Sequence, residues 1–179
     1  MTFPLIAIAG THGTDDIWWK PNSPFMFEAV AHGVELFAPE DPFFWSMALD
    51  GVIGRNTKWA SGGTALRWYI GRHCWRGKAH PPVNLLAHSH GGQVAAYALA
   101  EGVLVDTLIT VATPVRRDMR QIWKNARPNV RRWVHIHGGS RDLWQLLGAV
   151  FDGSLALRRE MPLADLNIAE PEAGHGDLL

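Results

Sequence analysis

Two hydrophobic periods alternate along this chain. Short apolar runs recur at Leu5–Ala9, Val34–Ala38, Val83–Ala87, Leu104–Ala112, Arg132–His137 and Leu166–Ala169. Most are bounded by Gly, Pro or polar residues, which is how strands read. Helical signals lie between them. Pro24–His32 has Ser23 as N-cap and proline at the first helical position. Thr64–Trp75 places Leu66 and Ile70 at i, i+4, an Ala-rich run continues to Ala100, and Met119–Ala126 and Leu143–Val150 complete the set. Residues 39–63 read as a long irregular stretch rich in Pro, Gly and aromatics, among them Phe43, Phe44, Trp45 and Trp59. Strands alternating with helices predict an α/β fold: a three-layer αβα sandwich on a mainly parallel sheet of about six strands, in one domain over 1–179. In such sheets ligands bind beyond the carboxyl ends of the strands.

One strand-to-helix junction carries candidate chemistry. Ala87-His88-Ser89-His90-Gly91 follows the apolar run at Val83 and precedes the Ala-rich helix. Small residues stand two before and two after the serine, and Gly92 lets the helix start close to the strand. A turn this sharp lifts the hydroxyl clear of the backbone and sets it at a helix N-terminus. The motif resembles the nucleophile elbow of the α/β-hydrolase superfamily in its lipase and esterase form, with Ala87 in place of the first glycine. That resemblance implies an α/β-hydrolase sheet, small and capless, lacking the family's two leading antiparallel strands.

The resemblance extends to other segments. Gly10-Thr11-His12-Gly13-Thr14 follows the first strand and is similar to the family's His-Gly-X oxyanion loop. By that likeness the backbone N–H groups of Thr14 and His90 form the oxyanion hole. The family's chain order is Ser, then acid, then His. Ser89, Asp142 and His175 occur in that order. Asp142 lies in Gly138-Gly139-Ser140-Arg141-Asp142 after a strand, and His175 in a loop after the last one. Asp142 also suits a helix N-cap, with Gln145 in the capping-box position. Asp118, after the preceding strand, is the rival acid; Asp106, Asp152 and Asp165 are worse placed. What the family implies is hydrolysis of a carboxylic, even lipid, ester through an acyl-enzyme on Ser89, without a cofactor. Acyl transfer, thioester or amide cleavage by the same triad, or a non-catalytic interaction protein on the same fold, are the alternatives.

Composition narrows the partners. Lysine plus arginine equals aspartate plus glutamate at 17 each, so no nucleic-acid signature stands out. Residues 116–132 nevertheless hold Arg116, Arg117, Arg120, Lys124, Arg127, Arg131 and Arg132 against the single acid Asp118. Such a run usually means a solvated face; contact with an anionic surface is the sharper reading. Two His-X-His pairs, His88/His90 and His135/His137, suggest metal ligation, but no further cluster completes a ligand set, so no metal is expected. His135 and His137 alternate with Val134 and Ile136, which predicts a polar and an apolar face on that strand. A lone cysteine, Cys74, and an N-terminus without a signal-peptide pattern point to a cytoplasmic location.

Overall fold

A computed structural model describes residues 3–10, 17–45, 55–74, 82–138 and 159–174. Within them the chain is α/β, with five strands and four helices. β1 (Leu5–Ile8), β2 (Val83–His88), β3 (Val105–Val111), β4 (Val130–Gly138) and β5 (Leu166–Glu170) pair in sequence order, every pair parallel. One row of the register runs Ile8, Ala87, Thr110, His135, Asn167 across all five strands. The helices are α1 (Pro24–Ala31), α2 (Arg55–Cys74), α3 (Gly91–Ala100) and α4 (Arg120–Ala126). None of the described helices is long and apolar enough to cross a membrane.

The expected sixth strand at Val34–Ala38 is reduced to one parallel bridge, Leu36 to Leu5. The Leu5 N–H donates to Glu35 O and the Phe37 N–H to Leu5 O. Backbone turns close the segment on both sides, with φ of 84° at Gly33 and 42° at Ala38, so it cannot extend. Its place still matters. The chain leaves β1, passes outside it at Leu36, and returns to form β2 on the other edge. The β1/β2 boundary is therefore where the direction of winding reverses, the position at which parallel sheets open a crevice.

Local signals explain several ends. The Ser23 hydroxyl accepts from the Met26 N–H at 3.1 Å and donates to Trp18 O, with Pro24 opening the helix. The stretch read as irregular up to residue 63 is helical from Arg55 onward. Gly62 and Gly63 are not breakers. A Cβ on Gly63 would stand 2.5 Å from Tyr97 Cβ and 2.8 Å from Ala98 N, and one on Gly62 3.0 Å from Val94 Cγ2. The glycines let α2 lie directly on α3, and that packing outweighs their poor helix propensity.

Side chains alternate across the strands into two apolar clusters. Ile6, Ile8, Leu85, Leu108 and Trp133 join Trp59 and Leu66 of α2, Val94 and Leu99 of α3 and Trp123 of α4. Leu86 and Val111 join Trp18, Trp19 and Met26, with Ile109 and Ile136 partly buried against them. On β4 the two expected faces are present, and the histidine face is the sealed one. Trp133 and His135 are fully buried, whereas Val134 and Ile136 are half-exposed. His135 is accommodated by a polar chain. The Trp133 indole N–H donates to Thr110 Oγ1 at 2.9 Å, Thr110 bonds His135 Nδ1 at 2.8 Å, and His135 Nε2 reaches Arg159 O at 2.9 Å. A carbonyl only accepts, so the proton sits on Nε2 and Nδ1 accepts from the threonine hydroxyl. Burial holds this imidazole neutral, with its pKa pushed down to about 4.

Candidate active site

β2 delivers the serine to the carboxyl edge of the sheet, and α3 begins at Gly91. Ser89 lies between them at φ 52°, in the left-handed region. A non-glycine residue there costs about 1–3 kcal/mol and must be held by its surroundings. Those surroundings are specific. The Ser89 N–H donates to Val111 O on β3 at 2.8 Å, and its carbonyl accepts from the Gly92 N–H at 3.1 Å. A Cβ on Gly91 would meet Ala9 O and Ile8 O at 2.5 Å, and one on Gly92 would collide with Thr113. The small residues read from the motif are thus required by backbone on one side and by the next loop on the other. The following strand ends alike: Ala112, at φ 49°, donates its N–H to Ile136 O at 2.8 Å.

The exit of β1 runs against the serine. A Cβ on Gly10 would stand 2.8 Å from Ser89 Cβ and 3.3 Å from His88 O. The Trp45 indole N–H donates to Ala9 O at 2.8 Å and fixes the same exit. His12, Gly13 and Thr14, expected in the oxyanion loop, lie outside the described residues, as do Asp142 and His175. The parallel register brings the strand ends that precede them to the same edge as Ser89. β1 ends at Ile8, β4 at Gly138 and β5 at Glu170.

His88 and His90 do not converge. The His88 ring meets Trp18 edge-on at 6.0 Å, while the His90 ring lies tilted against Trp59 at 5.1 Å and 31°. Trp18 and Trp59 belong to the two different apolar clusters, so the pair cannot close on one ion. His135 and His137 stack at 5.8 Å inside the protein. Among the described residues no group of three His, Cys, Asp or Glu side chains is placed to hold a metal.

Sequence reasoning missed the residues around His90. Arg116, expected on a solvated face, is buried. Its Nε and Nη2 donate to Asp118 Oδ1 and Oδ2 at 3.0 and 2.7 Å, and its guanidinium lies 5.3 Å over the Trp59 ring. Gln93, fully buried on α3, donates from Nε2 to Pro114 O at 2.8 Å and ties the same loop to the elbow helix. Tyr97 of α3 has its phenol pushed up, by burial first and the Asp118 charge second. The signal available in the sequence was Trp59, hidden by its assignment to an irregular stretch. Of the other acids considered, Asp152 lies outside the described residues, Asp106 is engaged by Arg131, and Asp165 by Arg127 and the Trp133 N–H. Arg116, Arg127 and Arg131 each have a carboxylate partner, which reduces the free positive charge of residues 116–132.

No family model and no curated protein matches this chain. The crystal structure of an uncharacterized protein from Bacillus cereus ATCC 10987 is similar in fold, with a TM-score of 0.55 at 13% identity over 97% of this chain. This chain spans 54% of that protein's length. At such identity the likeness concerns the fold alone.

Proposed function

We propose that this chain is a compact serine hydrolase of the α/β-hydrolase kind, an αβα sandwich that cleaves a carboxylic ester through an acyl-enzyme on Ser89. The observation that carries the reading is Ser89 at φ 52° on a strand–turn–helix junction, at the boundary where the winding of the sheet reverses. In this mechanism His175 takes the serine proton as the hydroxyl attacks the ester carbonyl, and then protonates the leaving alcohol. Asp142 orients the imidazole and stabilises its cation. The N–H groups of His90 and Thr14 receive the oxyanion, each worth about 2.7–4 kcal/mol by analogy with single-donor deletions. Water activated by His175 releases the acid.

A lipid-like acyl group suits the surroundings. Ile17, Phe25, Phe27, Val30 and Phe44 are large apolar side chains exposed to solvent. Of these, Phe25 reaches the elbow, edge-on to Trp18, which in turn meets His88. The test is labelling by a fluorophosphonate probe together with hydrolysis of p-nitrophenyl esters of graded chain length. Ser89→Ala should abolish both, and Asp142→Asn should cost about 10³–10⁴-fold in kcat. Undiminished labelling of Ser89→Ala would sink the assignment. A flat chain-length profile would remove the lipid part alone.

A further inference from the structure

We infer that Arg116 and Asp118, acting through Trp59, are positioning residues for His90, the residue that follows the nucleophile. The inference rests on the serine-hydrolase reading and deepens it. Four side chains from three segments form one stack. Asp118 grips Arg116 through two hydrogen bonds, the guanidinium lies on one indole, and that indole lies against the His90 imidazole. Trp59 is fully buried and the Arg116 side chain nearly so.

Each member constrains the next. A bidentate guanidinium–carboxylate pair fixes the plane of the guanidinium, which lysine cannot do. Cation–π and ring-stacking contacts hold the indole and imidazole in register. His90 is one peptide bond from Ser89 and opens α3 with φ −65° and ψ −13°. Fixing its ring fixes the direction of the amide that precedes its Cα. An oxyanion donor is effective only where the developing charge will stand, and misplacement of about 1 Å can cost about 10²-fold. The Asp118 side chain is 36% exposed, and an ion pair open to water on one side adds little net stability, so a role in geometry accounts for the pair better than one in stability.

The experiment compares Arg116→Met, Arg116→Lys, Asp118→Asn and Trp59→Phe with the wild type. Each is assayed for kcat and KM on a p-nitrophenyl ester and for inhibition by an alkyl trifluoromethyl ketone, whose serine adduct carries the oxyanion. Thermal melts confirm folding. Arg116→Met is expected to lose about 10–100-fold in kcat with KM within about twofold, and to lose ketone affinity by the same factor. Arg116→Lys and Asp118→Asn should fall between it and the wild type. Trp59→Phe keeps an aromatic surface and should stay within about threefold; Trp59→Leu, made alongside it, removes that surface and should lose about as much as Arg116→Met, which tests the stack should Arg116→Met fail to fold. Unchanged kcat and ketone affinity in folded Arg116→Met, or in Trp59→Leu should Arg116→Met not fold, would overturn the inference. So would a loss in Asp118→Asn as large as in Asp142→Asn with Arg116→Met unaffected, since Asp118 would then be the triad acid. A wild type that no fluorophosphonate labels removes the hydrolase reading itself, a result separable from both.

Discussion

On one face of the sheet Ile8, Leu85, Leu108 and Trp133 are sealed beneath α2, α3 and α4, while on the other Ile109, Val134 and Ile136 stay half-exposed. The closed face also holds one paired polar chain, in which Trp133, Thr110, His135 and Arg159 O run from donor to acceptor. The other face is less tightly built. α1 buries Met26 and leaves Phe25, Phe27 and Val30 exposed. Close packing, and not residue polarity, distinguishes the two faces. The elbow draws on both faces, through Trp59 on one and Trp18 on the other.

The sharpest way to break the contrast is Trp133→Ala. It removes a fully buried indole and the donor to Thr110, and should destabilise the protein by about 3–5 kcal/mol in urea unfolding. Acid should act on the same face. His135 has a folded pKa near 4, whereas an unfolded histidine titrates near 6.5. Between those values the unfolded chain binds the extra proton, so stability rises with pH across the window and is lost as pH falls through it. The loss should approach about 3 kcal/mol by pH 4, and His135→Gln should flatten the slope of the urea midpoint over that window.

Two glycines of α2 give a smaller and opposed pair. Gly63→Ala drives a methyl into Tyr97 Cβ and Ala98 N and should cost about 1–3 kcal/mol. Gly71→Ala meets nothing within 4 Å and should stabilise by about 0.5–1 kcal/mol, read as a higher melting temperature. On the open side Phe27→Ser, at a side chain 74% exposed, should stay within about 0.5 kcal/mol of the wild type. A loss of several kcal/mol at Phe27 would show that this face is packed after all.

The same contrast explains what the sequence made legible. Ser23-Pro24 and the five apolar runs that become β1 to β5 act locally, so their pattern was enough, and the glycines after Ser89 were legible as a motif although the atoms that require them, on Ile8, Ala9 and Thr113, are distant in sequence. The start of α2 was not legible because its glycines are explained only by α3, more than thirty residues further along. The small side chains of both segments, Gly62-Gly63 and Ala95-Ala96 with Ala98, were the available clue. The buried histidine face of β4 was hidden for a similar reason. Its acceptors and donors come from β3 and from Arg159, which no spacing within β4 announces. Ser89 was legible as a bend, whereas the Arg116–Trp59–His90 stack joins residues that are far apart in sequence and meet only in the fold.

Ala112 repeats the backbone of Ser89 one strand over, with the same left-handed φ and the same hydrogen bond to its neighbour, yet carries no hydroxyl. The bend is therefore a habit of how this sheet terminates its strands, separable from any chemistry placed on it. The same corner thus serves as a plain joint after β3 and as a serine-bearing one after β2.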